Sequence, residues 1–225
     1  MTSLVDYDLS DGVATLTMDD ARVNAMSPAM LRALHRAFER AEKDGAVVLL
    51  TGREGIFSAG FDLAVFRLGR QPTLEMLRLG ATLAERVLAF PYPVVTACNG
   101  HAYPMGAFLM LAADRRVGAA GDFRIGLNEV SIALTLPLFA VEIARQRLAP
   151  AYFQRAVVGD LYGPEEAVVA GFLDEVVAPE KLRSRALEIA KALTALDFPS
   201  HAATKLRVRG QALTALRAAI EEELH

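Results

Sequence analysis

Glu129 is a carboxylate in an apolar setting: the run Ile125-Gly126-Leu127-Asn128-Glu129-Val130-Ser131-Ile132-Ala133-Leu134 contains no other charge. A glutamate that a fold buries in such surroundings loses hydration. Its pKa climbs toward neutrality, and it can then accept and return a proton near pH 7. A glutamate exposed at a strand end fits the same run, so this segment leaves both readings open. Two glycine-containing loops could supply the partner that such an acid needs. Ala59-Gly60-Phe61-Asp62 and Pro104-Met105-Gly106 each stand where a loop passes into a helical pattern. Helix starts expose N–H groups carrying partial positive charge, and two of them facing each other would form an oxyanion hole. Ordinary turn glycines, with Asp62 as a helix cap, explain the same residues. Other chemistries find less support. His35, His101, His201 and His225 are scattered without metal-ligand spacing, so no metal is expected. His35 and His201 read as surface residues of helices, and no G-x-S-x-G element occurs.

Positioning these groups falls to elements marked by turn residues and apolar periodicity. Val5 to Leu9 and Val13 to Met18, joined by Asp11-Gly12, predict a hairpin. Ser27-Pro28 is a cap and first-turn pair, and Leu31, Leu34, Phe38 and Ala41 recur at helical spacing until Gly45. Ala46 to Thr51 and Val94 to Cys98 are continuous apolar runs, the pattern of strands buried on both faces. Each leads through a glycine-containing loop, 52–60 or 99–104, into a helix, near Asp62 to Leu68 and Met105 to Ala113 respectively. A strand through Val117 and a short one at Phe123 to Gly126 follow Asp114, and Pro137, Pro150, Pro164, Pro179 and Pro199 then mark helix starts.

The bulk properties bound the function class. A chain of 225 residues with 53% hydrophobic and 23% charged residues can bury a sizeable core, which points to a globular α/β protein. The net charge of −3 provides no basic field for nucleic acid, and no lysine-rich helix stands out. A single cysteine, Cys98, excludes an internal disulfide and favours a reducing compartment. The N-terminus lacks a basic start followed by an apolar core, and no apolar stretch approaches the roughly 20 residues of a membrane span. A cytoplasmic protein without a membrane partner is expected.

Four segments, in order and at consistent spacing, resemble the crotonase superfamily, the enoyl-CoA hydratase/isomerase family. Val23-Asn24-Ala25-Met26 resembles its N-A-L/M element, and Phe57-Ser58-Ala59-Gly60-Phe61-Asp62-Leu63 its F-S/C-A-G-x-D-L segment. Asn99-Gly100 through Gly106 to Asp114 is similar to its second loop, and Ile125-Gly126-Leu127-Asn128-Glu129 to its F/I-G-x-x-E element. The resemblance implies an α/β fold, a spiral of ββα turns over residues 1–195. A short helical segment, 196–225, would serve in oligomerisation, giving a homotrimer or a dimer of trimers. It further implies an acyl-CoA thioester as substrate, with coenzyme A present only as part of that substrate and no tightly bound cofactor. The N–H groups of Phe61 and Met105 would hold the thioester oxygen. Ala25 and Ala59, Gly60, Phe61, Asp62 and Leu63 would line the CoA path, with Met105, Gly106 and Phe108 completing the substrate site.

Within that family, water addition uses two glutamates, and here the position matching the first is Phe108, whereas the second is Glu129. The family's Δ3,Δ2-enoyl-CoA isomerases similarly keep one glutamate in a G-L-N-E run. An isomerase is therefore the expectation. A hydratase and a catalytically silent acyl-CoA-binding homologue are the alternatives. Pro104 and Met105 depart from the glycines of many relatives, and the chain ends soon after a helix begins near Leu213, which leaves the acyl-chain length open. Phe66, Met76, Leu77, Phe108 and Phe139 are the expected pocket walls.

Overall fold

The computed structural model describes residues 3–224, so Met1, Thr2 and His225 lie outside it. The hairpin forms as its sequence predicts: β1 (Val5–Ser10) pairs antiparallel with β2 (Val13–Met18), and Asp11 and Gly12 turn at φ of 51° and 75°. The left-handed values match the right-handed twist of the two strands, which is why Asp-Gly suits this turn. The amphipathic helix α1 (Pro28–Lys43) starts where the Ser27 hydroxyl accepts the Met30 N–H. Next come β3 (Val47–Thr51), β4 (Gly55–Ser58), α2 (Leu63–Phe66) and α3 (Arg70–Ala89). These are followed by β5 (Val94–Cys98), β6 (Gly100–Ala102), α4 (Pro104–Ala112), β7 (Arg115–Ala119) and β8 (Ile125–Gly126). The remainder is helical apart from two short strands: α5 (Leu138–Arg147), α6 (Pro150–Val157), β9 (Leu161–Tyr162), α7 (Pro164–Ala170), β10 (Glu175–Val177), α8 (Leu182–Leu193) and α9 (Phe198–Glu223).

Two sheets result. The larger runs β1-β2-β3-β5-β7-β10, parallel except at its first pair, and the smaller runs β4-β6-β8-β9. Both loops read as plain connections thus carry a strand of the second sheet, β4 or β6. Each repeat is therefore strand, strand, helix, the ββα turn of the expected spiral. The apolar runs of β3 and β5 occupy the middle of the larger sheet with one core on each face, the smaller one closed by α8. The second helix differs from expectation, because the turn that Asp62 caps lasts only four residues and α3 follows.

The C-terminal segment 196–225 contains a 26-residue helix laid back on its own core. The Glu223 carboxylate accepts the Leu138 N–H, and Arg209 donates to the Leu88 and Ala112 carbonyls. His35 and His201 sit on helices but are half-buried rather than exposed, and a ring nitrogen of His35 lies 3.0 Å from the Leu79 carbonyl oxygen. The Cys98 thiol is fully buried, and that burial pushes its pKa up to about 12. Among the described residues no helix is long and apolar enough to cross a membrane.

Candidate active site

The site begins with Asn24, buried and held at φ 51°. Its amide donates to the Met18 carbonyl on β2 and to the Phe57 carbonyl on β4, so one side chain ties the first glycine loop to the larger sheet. The Ser58 hydroxyl donates to the Asn24 carbonyl and accepts the Gly60 N–H, while Met26 N–H bonds the Gly60 carbonyl at 2.8 Å. The second loop is fastened to the first by the Tyr103 N–H, which donates to the Ser58 carbonyl at 2.9 Å.

Both glycines are required by this closeness. Gly60 has φ 86°, and a Cβ there would stand 3.3 Å from the Pro104 ring. A Cβ at Gly106 would stand 2.7 Å from the Ser58 Cβ. Phe61, which follows Gly60, therefore lies beside the first turn of α4, where Met105 is the second residue. First-turn amides have no partner within their own helix, so the Met105 N–H has no intrahelical acceptor.

An apolar cavity of about 150 Å³ opens at this junction. Ala59, Phe61, Leu63 and Phe66 line one side, Leu77 of α3 another, and Tyr103 and Pro104 the start of α4. The segment 128–137 closes it with Asn128, Glu129, Ile132, Leu134, Thr135 and Pro137. Glu129 is the only carboxylate among the described residues of this wall, and it is 7% exposed. Burial pushes its pKa up from 4.5 to about 7, partly offset by its own backbone N–H. One of its carboxylate oxygens is buried without a hydrogen-bond partner. Its carbonyl accepts the Ile132 and Leu134 N–H groups, folding the chain after it into a short turn that holds it at the cavity. A buried base near neutrality facing a helix start can take a proton from a bound ligand and give it back.

Of the residues singled out in the sequence, Ala59, Phe61, Leu63 and Glu129 line the cavity, whereas Ala25, Gly60, Asp62, Met105 and Gly106 do not. Ala25 is half-buried and bonded to the Asp20 carboxylate, and Asp62 caps α2 through the Ala64 N–H. The expected pocket walls require correction. Phe66 and Leu77 line the cavity, but Met76, Phe108 and Phe139 are fully buried and do not reach it. Helix α4 is buried all round, so the ring of Phe108 turns into the core and packs edge-on against Phe139, 5.8 Å between centroids. The structure adds Gly80 on α3, where a Cβ would stand 2.6 Å from the Phe61 ring and 3.0 Å from the Met105 sulfur. The Phe61 ring and the Met105 side chain therefore rest on one bare patch of helix. A glycine inside an otherwise helical pattern was the available signal for it.

The Enoyl-CoA hydratase/isomerase family profile matches residues 8–225. The chain belongs to that family. A putative enoyl-CoA hydratase of Thermus thermophilus is 36% identical over 204 residues, 88% of this chain and 78% of that protein. An enoyl-CoA hydratase/isomerase family protein from Pseudomonas syringae is 46% identical, with a TM-score of 0.96 over 98% of this chain and 96% of its own. A Mycobacterium tuberculosis protein, described as an enoyl-CoA isomerase in one solved structure and as a probable enoyl-CoA hydratase in another, is 45% identical, with a TM-score of 0.94 in both, over 98% of this chain and 97% of its own in the first. Relatives named for either reaction thus lie within the same range of similarity. The enoyl-CoA hydratase/isomerase fold accounts for the two sheets and the ββα turns, and the family is one of enzymes.

Proposed function

We propose that this enzyme shifts the double bond of a 3-enoyl-CoA to the 2-position. Glu129, as carboxylate, removes a proton from C2. The electron pair passes into the thioester carbonyl, giving a dienolate whose oxygen is held by the N–H groups of Phe61 and Met105. Protonated Glu129 then delivers the proton to C4, leaving a C2=C3 bond and a free carboxylate. The observation that carries this reading is the cavity wall itself: one carboxylate, Glu129, with a pKa of about 7, and an apolar Phe108 turned into the core. Splitting water across a double bond calls for a second acid or base, whereas migration needs one group that takes and returns a single proton. A hydratase is the second reading, favoured by the Thermus relative's description.

The purified protein is expected to convert a trans-3-enoyl-CoA to the conjugated 2-enoyl-CoA, followed by ultraviolet absorbance, and Glu129→Gln is expected to lose this turnover. Hydration of crotonyl-CoA as fast as isomerisation would reverse the order of the two readings. CoA-thioester binding without either reaction would make the chain a silent homologue. We further propose assembly as a homotrimer or a dimer of trimers, which light scattering on the eluting protein would tell apart.

A further inference from the structure

The C-terminal end of α4 is buried among cations drawn from three other elements. Arg147 of α5 donates to the Leu111 and Ala113 carbonyls at 3.4 and 2.6 Å. Arg209 of α9 donates to those of Ala112 and Ala113 at 3.1 and 3.4 Å, and Arg116 of β7 to that of Ala113 at 3.3 Å. Lys205 stands beside them, bonded to the Asp114 carboxylate that Arg209 also reaches. Arg116, Lys205 and Arg209 are only 3%, 5% and 8% exposed. Asp114 and Asp174 are the carboxylates bonded within this group, so four cations face two anions, and the Nε of Arg116 is buried without an acceptor. Surplus buried charge of one sign is costly, and a helix end can be capped by neutral donors, as Gln146 does at the Leu111 carbonyl. What this surplus faces is the negative end of the helix whose positive end carries Met105.

We infer that Arg116, Arg147 and Arg209 are positioning residues that act through α4, lowering the energy of negative charge held at the Met105 N–H. This rests on the proposed role of that N–H as an oxyanion donor. Nine residues make α4 about 13 Å long. At that distance, with an effective dielectric near 20, one unit charge changes the affinity for an anion by roughly five- to tenfold. A neutral ligand of the same shape feels little of it.

The test compares Arg147→Met with Arg147→Lys. Arg147 is the more exposed member of the group, which makes it the substitution best tolerated by the fold. Two ligands are titrated into the wild type and each variant: a saturated acyl-CoA, which stays neutral at the carbonyl, and acetoacetyl-CoA, whose enolate absorbs in the ultraviolet. The expected result is a bound-enolate affinity about fivefold weaker in Arg147→Met, restored in Arg147→Lys, with saturated acyl-CoA unchanged in both. A folded Arg209→Lys variant should likewise keep the enolate. Equal losses for both ligands, or no loss for either, would overturn the inference and leave the cations as caps alone. Charge-dependent enolate binding in a protein that isomerises nothing would sink the isomerase reading and spare the inference; normal isomerisation with charge-independent binding would do the reverse.

Discussion

Replacing Glu129 with glutamine should stabilise this protein at pH 8 while removing its turnover. Burial raises the carboxyl pKa from 4.5 in the open chain to about 7 in the folded one. Below pH 4.5 both states hold the proton and the carboxylate imposes no penalty. Between 4.5 and 7 the unfolded chain releases its proton while the folded chain keeps it, so stability falls as pH rises. Above 7 the full penalty is present, at about 1.4 kcal/mol per pKa unit, or about 3 kcal/mol. Glutamine never ionises and escapes this term, though its buried amide costs about 1 kcal/mol where a partner is missing. The net effect is a gain of about 2 kcal/mol at pH 8 and a loss of about 1 kcal/mol at pH 4.5. For a chain of this size the gain corresponds to a rise in Tm of roughly 4–8 °C. Thermal melts of wild type and variant at both pH values measure it. A shift of equal size at pH 4.5 and pH 8, or a loss at pH 8, would refute the claim that a desolvated carboxylate sits at this position.

The same carboxyl sets the pH profile: kcat/KM for the free enzyme should rise with pH through an apparent pKa of about 7 and lose this limb in any variant lacking the acid. Gly80→Ala should gain helix propensity of about 1 kcal/mol yet force the Phe61 ring and the Met105 side chain aside. Steady-state kinetics and a melt together should therefore show kcat/KM at least about tenfold lower with stability changed by under about 2 kcal/mol. Phe108→Glu should create no hydratase, because the new carboxylate would lie in the core against Phe139. Denaturant unfolding should show a loss of about 3–5 kcal/mol, and crotonyl-CoA hydration the absence of any gain.

How much could be read in advance depended on whether a segment had one buried face or several. Helix α1 buries a single stripe, so its cap, its spacing and its stop at Gly45 were all visible. Strands β3 and β5 were visible for the opposite reason, being buried on both faces and short. Helix α3, 20 residues long, has no side-chain cap at Gly69, and its buried positions from Met76 to Leu88 face several neighbours, which blurs any 3.6-residue rhythm. Strands β4 and β6, of four and three residues, are too brief to show a period at all. For the site, residue type carried further than direction. Glu129 and Phe61 reach the cavity, but α4 has no solvent face, and nothing in its sequence says which way Phe108 turns.

Asn24 has a consequence for how the enzyme's parts can vary. By joining Met18 to Phe57, it refers the height of the Phe61 amide to the register of the larger sheet rather than to the cavity wall. The opposite side of the cavity is built elsewhere, from Leu77 of α3 and from Leu134 and Pro137 of the loop before α5. The frame that sets the Phe61 amide and the apolar surface of the cavity are thus separate constructions sharing one opening. In the proposed reaction, changes at Leu77, Leu134 or Pro137 would redraw the chain-length limit while the amides keep their aim.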